Sequence, residues 1–255
     1  MEKTGIKIPP AKQIAYVAVM CALLIAGQYV FSFVVGVEIV TLLMICFSSV
    51  FGVRSGVICA VSFSLLRCLI YGFSPTAVIL YLVYYPSLAA VFGGLGHIKD
   101  NTFGRCPAGL VIAVNLLLCS LAAACALVYG FDVIKVSRLW KATADILIWV
   151  IFGLSCLLLL AFNALVVANK IFKKNVGAFL KLFTFASVAA VCTVCFTLLD
   201  DVITPLVLGS TRLTALTYFY ASFTAMLPQT VCAIVTVSTL YLPLCAALKK
   251  ATQHK

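Results

Sequence analysis

Polar side chains that interrupt long apolar stretches are the residues with which this sequence could do chemistry. Arg67 lies near the end of one apolar stretch, and Asp200 and Asp201 lie toward the end of another. Gln229 directly follows Pro228 in a third. Such side chains are costly in lipid unless they bind a partner or a ligand, so these four are candidates for solute contact. The alternatives are an ion pair of Arg67 with the aspartates, snorkelling of Arg67 to the membrane surface, and a bond from Gln229 to a neighbouring helix.

Tyrosines and two polar residues near the predicted outer membrane surface extend this candidate site. Four tyrosines are suited to stacking on a flat heterocyclic solute: Tyr84, Tyr85, Tyr218 and Tyr220. Aromatic rings at this level also form interfacial belts, which is the alternative for each of them. Gln28 and Glu38 flank the first outer turn, where either could simply be solvated.

The sequence lacks the common catalytic signatures. There is no G-x-x-x-x-G-K-[S/T] phosphate loop, so we do not expect this chain to hydrolyse ATP. H-E-x-x-H and G-x-S-x-G are absent too, and the two histidines, His97 and His254, lie in polar segments. Almost all of the twelve cysteines lie in apolar runs, including the C-x-x-C pair Cys192 and Cys195, and they are predicted to pack as small apolar side chains. We therefore predict no enzyme, no cofactor and no metal site.

The elements that must position these residues are membrane-spanning helices. Of the 255 residues, 64% are apolar and 10% are charged, and the mean hydropathy is +1.20. A soluble domain is about half apolar, and a helix needs about 20 apolar residues to cross the hydrocarbon core. Charged, Pro and Gly clusters divide the sequence into eight apolar segments: 12–35, 38–53, 55–71, 76–95, 108–129, 144–167, 176–206 and 216–242. We predict one all-α transmembrane domain over residues 1–255, a helical bundle of about eight spans.

The basic residues predict how this bundle lies in the membrane. Thirteen lysines and arginines fall on the side of the N-terminus and four on the other side, with Arg67 inside a segment. Cytoplasmic loops are enriched in Lys and Arg, so both termini are predicted to be cytoplasmic. The net charge of +11 is assigned to these topology signals, and no nucleic-acid partner is expected. One outward connector, 131–145, carries three basic residues; it would lie along the lipid surface or attract an anionic solute.

Small residues form a stripe on the first segment. Ala18, Ala22 and Ala26 repeat every fourth residue and therefore share one face of a helix. In lipid, small side chains let a second helix approach closely, so that dispersion contacts hold the pair together. The stripe predicts a docking face, either for another subunit or for a helix of the same chain.

The order of several segments resembles the substrate-binding S components of energy-coupling-factor transporters, the prokaryotic vitamin importers. The resemblance starts with AYVAVMCALLIAGQYVFSFVVGVEIVTLL and continues through FSSVFGVRSG, a tight turn between two short helices, and CLIYGFSP. It ends with FTLLDDVITPLVLG and YFYASFTAMLPQTVCAIVTVSTLYLPLCAAL. It implies a chain in the plasma membrane of a prokaryote that captures a vitamin-like solute, while a transmembrane coupling subunit and two cytoplasmic ATPases supply the energy. It also implies that the coupling subunit docks on the alanine stripe. It implies further that the first outer turn carries a loop over the solute, so that Gln28 and Glu38 beside it are candidates for solute contact.

The sequence departs from this family in its number of helices. Family members typically have six, whereas this sequence adds a pair at about 107–170 to a core formed by 12–97 and 176–248. An even number of added helices keeps both termini on one side of the membrane. The alternative function is an ion-coupled secondary transporter of a small organic solute, with Asp200 and Asp201 binding the ion.

Overall fold

The computed structural model describes residues 10–33, 39–98, 107–130, 138–172 and 177–253, and these ranges contain seven α-helices. In chain order they are α1 (Pro10–Phe31), α2 (Ile39–Tyr71), α3 (Pro75–Gly96), α4 (Ala108–Gly130), α5 (Arg138–Phe172), α6 (Gly177–Val207) and α7 (Arg212–Gln253). Each is long and apolar enough to cross a membrane. The prediction of an all-α, multi-pass membrane protein is confirmed at this level.

Glycine, serine and proline make the connection between α2 and α3. Gly72 follows α2 with a φ of 99°, a left-handed conformation that glycine adopts without a steric cost. Ser74 caps α3, because its Oγ accepts a hydrogen bond from the backbone N–H of Ala77 at 3.1 Å. Pro75 occupies the first turn of α3, where no backbone N–H is needed. Three residues thus end one apolar helix and start the next.

The predicted second and third segments form one element, α2, which is interrupted at Gly52. Gly52 has a φ of 85° and a ψ of 174°, so the helix is broken there. A methyl group on Gly56 would lie 3.2 Å from Cα of Ser48, whereas residues eight apart in a straight helix are about 12 Å apart. The chain therefore turns sharply at Gly52, as FSSVFGVRSG predicts. The limbs on either side of Gly52 correspond to the predicted second and third segments and form one element, so the described ranges contain seven helices where eight segments were predicted.

The helices divide into two compact units. The first is Met1–Lys99 with Thr239–Lys255, and it contains α1, α2, α3 and the end of α7. The second is Asp100–Ser238, and it contains α4, α5, α6 and the first part of α7. The assignment of 12–97 and 176–248 to a six-helix core, with an inserted pair at 107–170, stays a prediction.

In the first unit, α2 packs against both α1 and α3. Phe47, Phe63 and Phe92 are fully buried, and Phe63 of α2 contacts the rings of Tyr81 and Tyr85 on α3. Backbones approach closely at Gly93, where an added methyl group would lie 2.7 Å from the backbone of Val53. The first unit is therefore held by large aromatic side chains and by a glycine that lets α3 touch the turn in α2.

In the second unit, α4 packs against α5 and α6. Leu118, Phe162 and Leu180 belong to one buried apolar cluster of this unit. The amides of Asn115 and Asn163 join α4 to α5: Asn163 Nδ2 donates to Asn115 Oδ1 at 2.7 Å, and Asn115 Nδ2 donates to Asn163 Oδ1 at 3.3 Å. Paired amides satisfy each other where lipid offers no partner, so this contact fixes the two helices of the predicted insertion together.

Candidate functional site

A cavity of about 260 Å³ lies between α6 and the first part of α7, within the second unit. Side chains of both helices line it: Phe196, Thr197, Asp200, Tyr218, Ala221, Ser222, Ala225 and Gln229. The α7 residues recur at intervals of three or four, so that one face of this helix meets the cavity. The described lining combines apolar carbon with hydroxyl, carboxylate and amide groups and includes no basic side chain. Such a cavity favours a solute that carries hydrogen-bond donors or a positive charge.

Asp200 is held in place at the cavity wall by two hydroxyl groups. Tyr218 Oη, on α7, donates to Asp200 Oδ2 at 2.7 Å. Thr204 Oγ1, one turn further along α6, donates to Asp200 Oδ1 at 2.7 Å. Each oxygen keeps a further lone pair for a ligand. The two bonds orient the carboxylate without neutralising it.

Asp201 lies directly behind this wall and is 8% exposed. Its Oδ2 accepts a hydrogen bond at 2.7 Å from Oγ of Ser222, which itself lines the cavity. Its Oδ1 is buried and has no hydrogen-bond partner. Among the residues that the structure describes, hydroxyl groups are the partners of both carboxylates, and no basic side chain pairs with either. A buried carboxylate is costly unless a proton or a cation neutralises it, so this pair has the chemistry of a cation-binding group.

Gln229 and Tyr220 have different roles in the same unit. Gln229 lines the cavity, and its Oε1 accepts a hydrogen bond from Thr197 Oγ1 at 3.4 Å. Gln229 therefore bonds Thr197 of the neighbouring helix α6 and is at the same time accessible to a solute in the cavity. Tyr220 is 3% exposed and packs in an apolar cluster with Phe223 and Met226. It is not among the lining residues, whereas Tyr218 is.

Gln28 and Arg67, in the first unit, meet at the side chain of Tyr81. Gln28 Nε2 donates to the hydroxyl of Tyr81 at 3.3 Å. Cζ of Arg67 lies 4.0 Å from the centroid of the Tyr81 ring and 5.5 Å from that of Tyr71. Gln28 Oε1 and Arg67 Nε are both buried and have no hydrogen-bond partner. Arg67 belongs to the first unit, and Asp200 and Asp201 belong to the second. The described contacts of the Arg67 guanidinium are aromatic rings, and those of the two carboxylates are hydroxyl groups.

Tyr84 and Tyr85 belong to the core of the first unit. Both are buried, and their rings lie 5.1 Å apart in an edge-to-face arrangement. Tyr85 also contacts Phe63 and Tyr81 at 5.2 Å between ring centroids. Such contacts stabilise packing, so these two tyrosines support the position of Tyr81. Glu38, the remaining predicted site residue, lies outside the described residues.

The alanine stripe lies along an apolar groove on the surface of the first unit. Ala18, Ala22 and Ala26 are exposed, and they line a groove of about 730 Å³ between α1 and the end of α2. The second wall of the groove includes Leu66 and Ile70 of α2. The stripe therefore faces outward from the chain, and the opposite face of α1 packs inside through residues such as Leu24.

Ser222 and Tyr81 were not among the candidates from the sequence, and neither were the two threonines that bond candidate residues, Thr197 and Thr204. Ser222 follows Tyr218 by four residues and precedes Gln229 by seven, so helical spacing places all three on one face of α7. This periodicity is a signal that would have found Ser222. Tyr81 is one of several tyrosines in its segment, and only the folded structure distinguishes it.

No protein-family model, no curated protein and no solved structure matches this chain. Within the described ranges, no group of three or more His, Cys, Asp or Glu side chains is arranged to hold a metal ion.

Proposed function

We propose that this protein is the membrane-embedded substrate-capture subunit of an ATP-driven importer of a vitamin or vitamin-like micronutrient. It lies in the plasma membrane of a prokaryote with both termini in the cytoplasm. The observation that carries this proposal is the outward-facing alanine stripe of α1 along the apolar groove. A transmembrane coupling subunit docks there and connects the chain to two cytoplasmic ATPases.

The groove suits a helix of a membrane partner. Apolar side chains gain little by leaving lipid for protein, so helix association in a membrane depends on close contact and not on the hydrophobic effect. Alanines at 18, 22 and 26 let a partner backbone approach α1 along three successive turns. Ile14 and Tyr29 flank the same groove toward its two ends. A partner helix seated there would contact both α1 and α2.

The cavity between α6 and α7 is the proposed solute site. Asp200 and Gln229 supply acceptors at its wall, and Asp201 adds negative charge behind Ser222. Tyr218 adds an aromatic ring beside Asp200, which suits stacking on a flat heterocycle. These groups support a solute that carries a protonated nitrogen or several N–H donors next to a ring.

The docking step is tested by Ala22→Leu. A leucine side chain fills the groove where a partner backbone would lie, so co-purification of the coupling subunit and solute uptake are expected to fall at least tenfold. Ala123→Leu is the matched control, because Ala123 is exposed on α4, in the other unit. Unchanged complex formation and uptake for Ala22→Leu would refute the docking role of α1.

The solute site is tested by mass spectrometry of small molecules that the purified protein retains, followed by Asp201→Asn. The substitution keeps the shape of the side chain but removes its charge, and contacts to charged groups contribute about 1.5–3 kcal/mol. Affinity for the retained molecule is therefore expected to fall by about tenfold to a hundredfold. Asp145→Asn, on α5, is the matched control, since Asp145 neither lines the cavity nor has a described hydrogen bond to a lining residue, as Asp201 has to Ser222. Equal affinity of wild type and Asp201→Asn would remove Asp201 from the site.

One observation favours a second function, an ion-coupled secondary transporter. The adjacent carboxylates of Asp200 and Asp201 have hydroxyl partners and no described basic partner, which also suits binding of a coupling proton or cation. Accumulation of solute in vesicles that hold an ion gradient but no ATP would favour this function over the first.

A further inference from the structure

Arg67 is a charged group that the proposed solute cavity does not use. It lies about 6 Å, one helical turn, before the end of α2, inside a helix that is apolar enough to span the membrane. Its guanidinium lies over the ring of Tyr81 and near that of Tyr71. The aromatic faces attract the positive charge but do not accept its N–H groups as an anionic oxygen would.

The first unit offers Arg67 no described counter-charge. The described residues of this unit, 10–33, 39–98 and 239–253, include no aspartate and no glutamate. Nε of Arg67 is buried and has no hydrogen-bond partner. A guanidinium cannot lose its charge in a protein, and leaving its donors unbound at membrane depth is costly. An anion bound at this place would offset that cost.

Gln28 provides a second unsatisfied group at the same place. Its Nε2 is bound to the Tyr81 hydroxyl, and its Oε1 is buried without a partner. The two side chains thus contact one tyrosine, Gln28 at the hydroxyl and Arg67 on the ring face. One acceptor and one cationic donor thus lie beside the same tyrosine, and neither has a described hydrogen-bond partner.

We propose that Arg67 binds an oxyanion, either the phosphate of a lipid headgroup or the phosphate or carboxylate of a soluble molecule. The guanidinium fork binds two oxygens of the anion, and the Tyr81 ring supports it from one side. Gln28 Oε1 accepts a hydrogen bond from a hydroxyl or amino group of the same ligand. This site lies in the first unit and does not depend on the cavity between α6 and α7.

The test is the thermal unfolding midpoint of the full purified chain in detergent as anions are added. The probes are dioleoylphosphatidylglycerol, with dioleoylphosphatidylcholine as the neutral lipid, and sodium phosphate and sodium acetate at constant ionic strength. For the wild type, we expect the thermal unfolding midpoint to rise with the concentration of at least one anion and then to reach a plateau. Arg67→Gln should weaken this binding at least tenfold. Arg54→Gln, the same substitution on an exposed residue of α2, should leave it unchanged.

The outcomes distinguish a lipid headgroup from a soluble anion as the ligand, and they also define the results that would overturn the proposal. A response to phosphatidylglycerol alone assigns the site to a lipid headgroup, and a response to phosphate or acetate assigns it to a soluble anion. The proposal is overturned by the absence of saturable binding, by equal binding of wild type and Arg67→Gln, or by equal losses in Arg67→Gln and Arg54→Gln. Anion binding that appears only in Glu38→Gln would overturn it too, since Glu38 would then be the partner of Arg67.

Arg67→Lys keeps the proposal testable if Arg67→Gln does not fold. Lysine retains the charge but loses the planar fork, so binding should weaken severalfold. Unchanged binding would contradict a guanidinium-specific site. These measurements of anion binding do not test the solute cavity, which is tested separately by Asp201→Asn.

Discussion

The contact between α3 and the turn in α2 makes a sharp prediction about two neighbouring glycines. A methyl group on Gly93 would lie 2.7 Å from both N and Cα of Val53 and 3.1 Å from the carbonyl carbon of Gly52. These are backbone atoms, which cannot rotate away as a flexible side chain can. A methyl group on Gly94 would meet no described heavy atom within 4 Å apart from its chain neighbours and the backbone of its own helix. Gly93→Ala should therefore force α3 away from α2, whereas Gly94→Ala should not.

The magnitude follows from the distances. Ordinary van der Waals contact begins near 3.4 Å, so α3 must move by roughly 0.7 Å to accept the methyl group of Gly93→Ala. Overpacking of this kind costs about 1–3 kcal/mol. Replacing glycine by alanine inside a helix returns about 0.5–1 kcal/mol, and this gain applies to both variants. The free energies of unfolding of the two variants should therefore differ by about 1–3 kcal/mol, with Gly93→Ala the less stable.

The assay is reversible unfolding of the purified chain in mixed micelles of increasing SDS content, followed by circular dichroism. Wild type, Gly93→Ala and Gly94→Ala are compared in one detergent. Equal stability of the two variants, or a more stable Gly93→Ala, would refute the close approach of α3 to the turn at Gly52.

Three further predictions concern single contacts. Asn115→Leu should lower the free energy of unfolding by about 1 kcal/mol because it removes both hydrogen bonds that join α4 to α5; Asn163 Oδ1 then loses the Asn115 donor, whereas Asn163 Nδ2 keeps its bond to the Leu159 carbonyl. The double variant Asn115→Leu/Asn163→Leu should recover part of this loss, and additive losses in a double-mutant cycle would contradict the contact. Cys21 Sγ and Cys59 Sγ lie 3.8 Å apart, so copper–phenanthroline should link them, as peptide mass spectrometry would detect; a lack of this link would contradict the register of α1 on α2. Tyr218→Phe should weaken solute binding about threefold to tenfold, measured by calorimetry with the retained molecule, and unchanged affinity would argue against its role in holding Asp200.

The sequence predicts the class of structure well because membrane helices are defined by composition and length. Each apolar segment overlaps a helix of the structure, since lipid allows few other ways to satisfy the backbone. The turn at Gly52 is also predictable, because glycine adopts a positive φ easily and is followed shortly by Arg54 and Gly56. What the sequence does not reveal is that the two limbs joined by this turn form one interrupted element.

The sequence predicts the candidate site less completely, because contacts between helices decide which of the candidate residues line the cavity. Asp200, Tyr218 and Gln229 come together at one cavity, as polar residues in an apolar chain suggest. Tyr220 is buried in an apolar cluster, although it lies only two residues after Tyr218. A helix turns about 100° per residue, so positions two apart point in nearly opposite directions. Which of these two tyrosines lines the cavity and which is buried could therefore be decided only once the buried face of α7 was known.

Reconstitution of the full chain alone in liposomes tests the central claim most directly. The small molecule retained by the purified protein is supplied in radiolabelled form, with no ATPase present, with and without an imposed proton or sodium gradient. A capture subunit that depends on partner ATPases should bind about one molecule per chain and accumulate no more under any gradient. Accumulation well above this stoichiometry, driven by a gradient alone, would contradict the account.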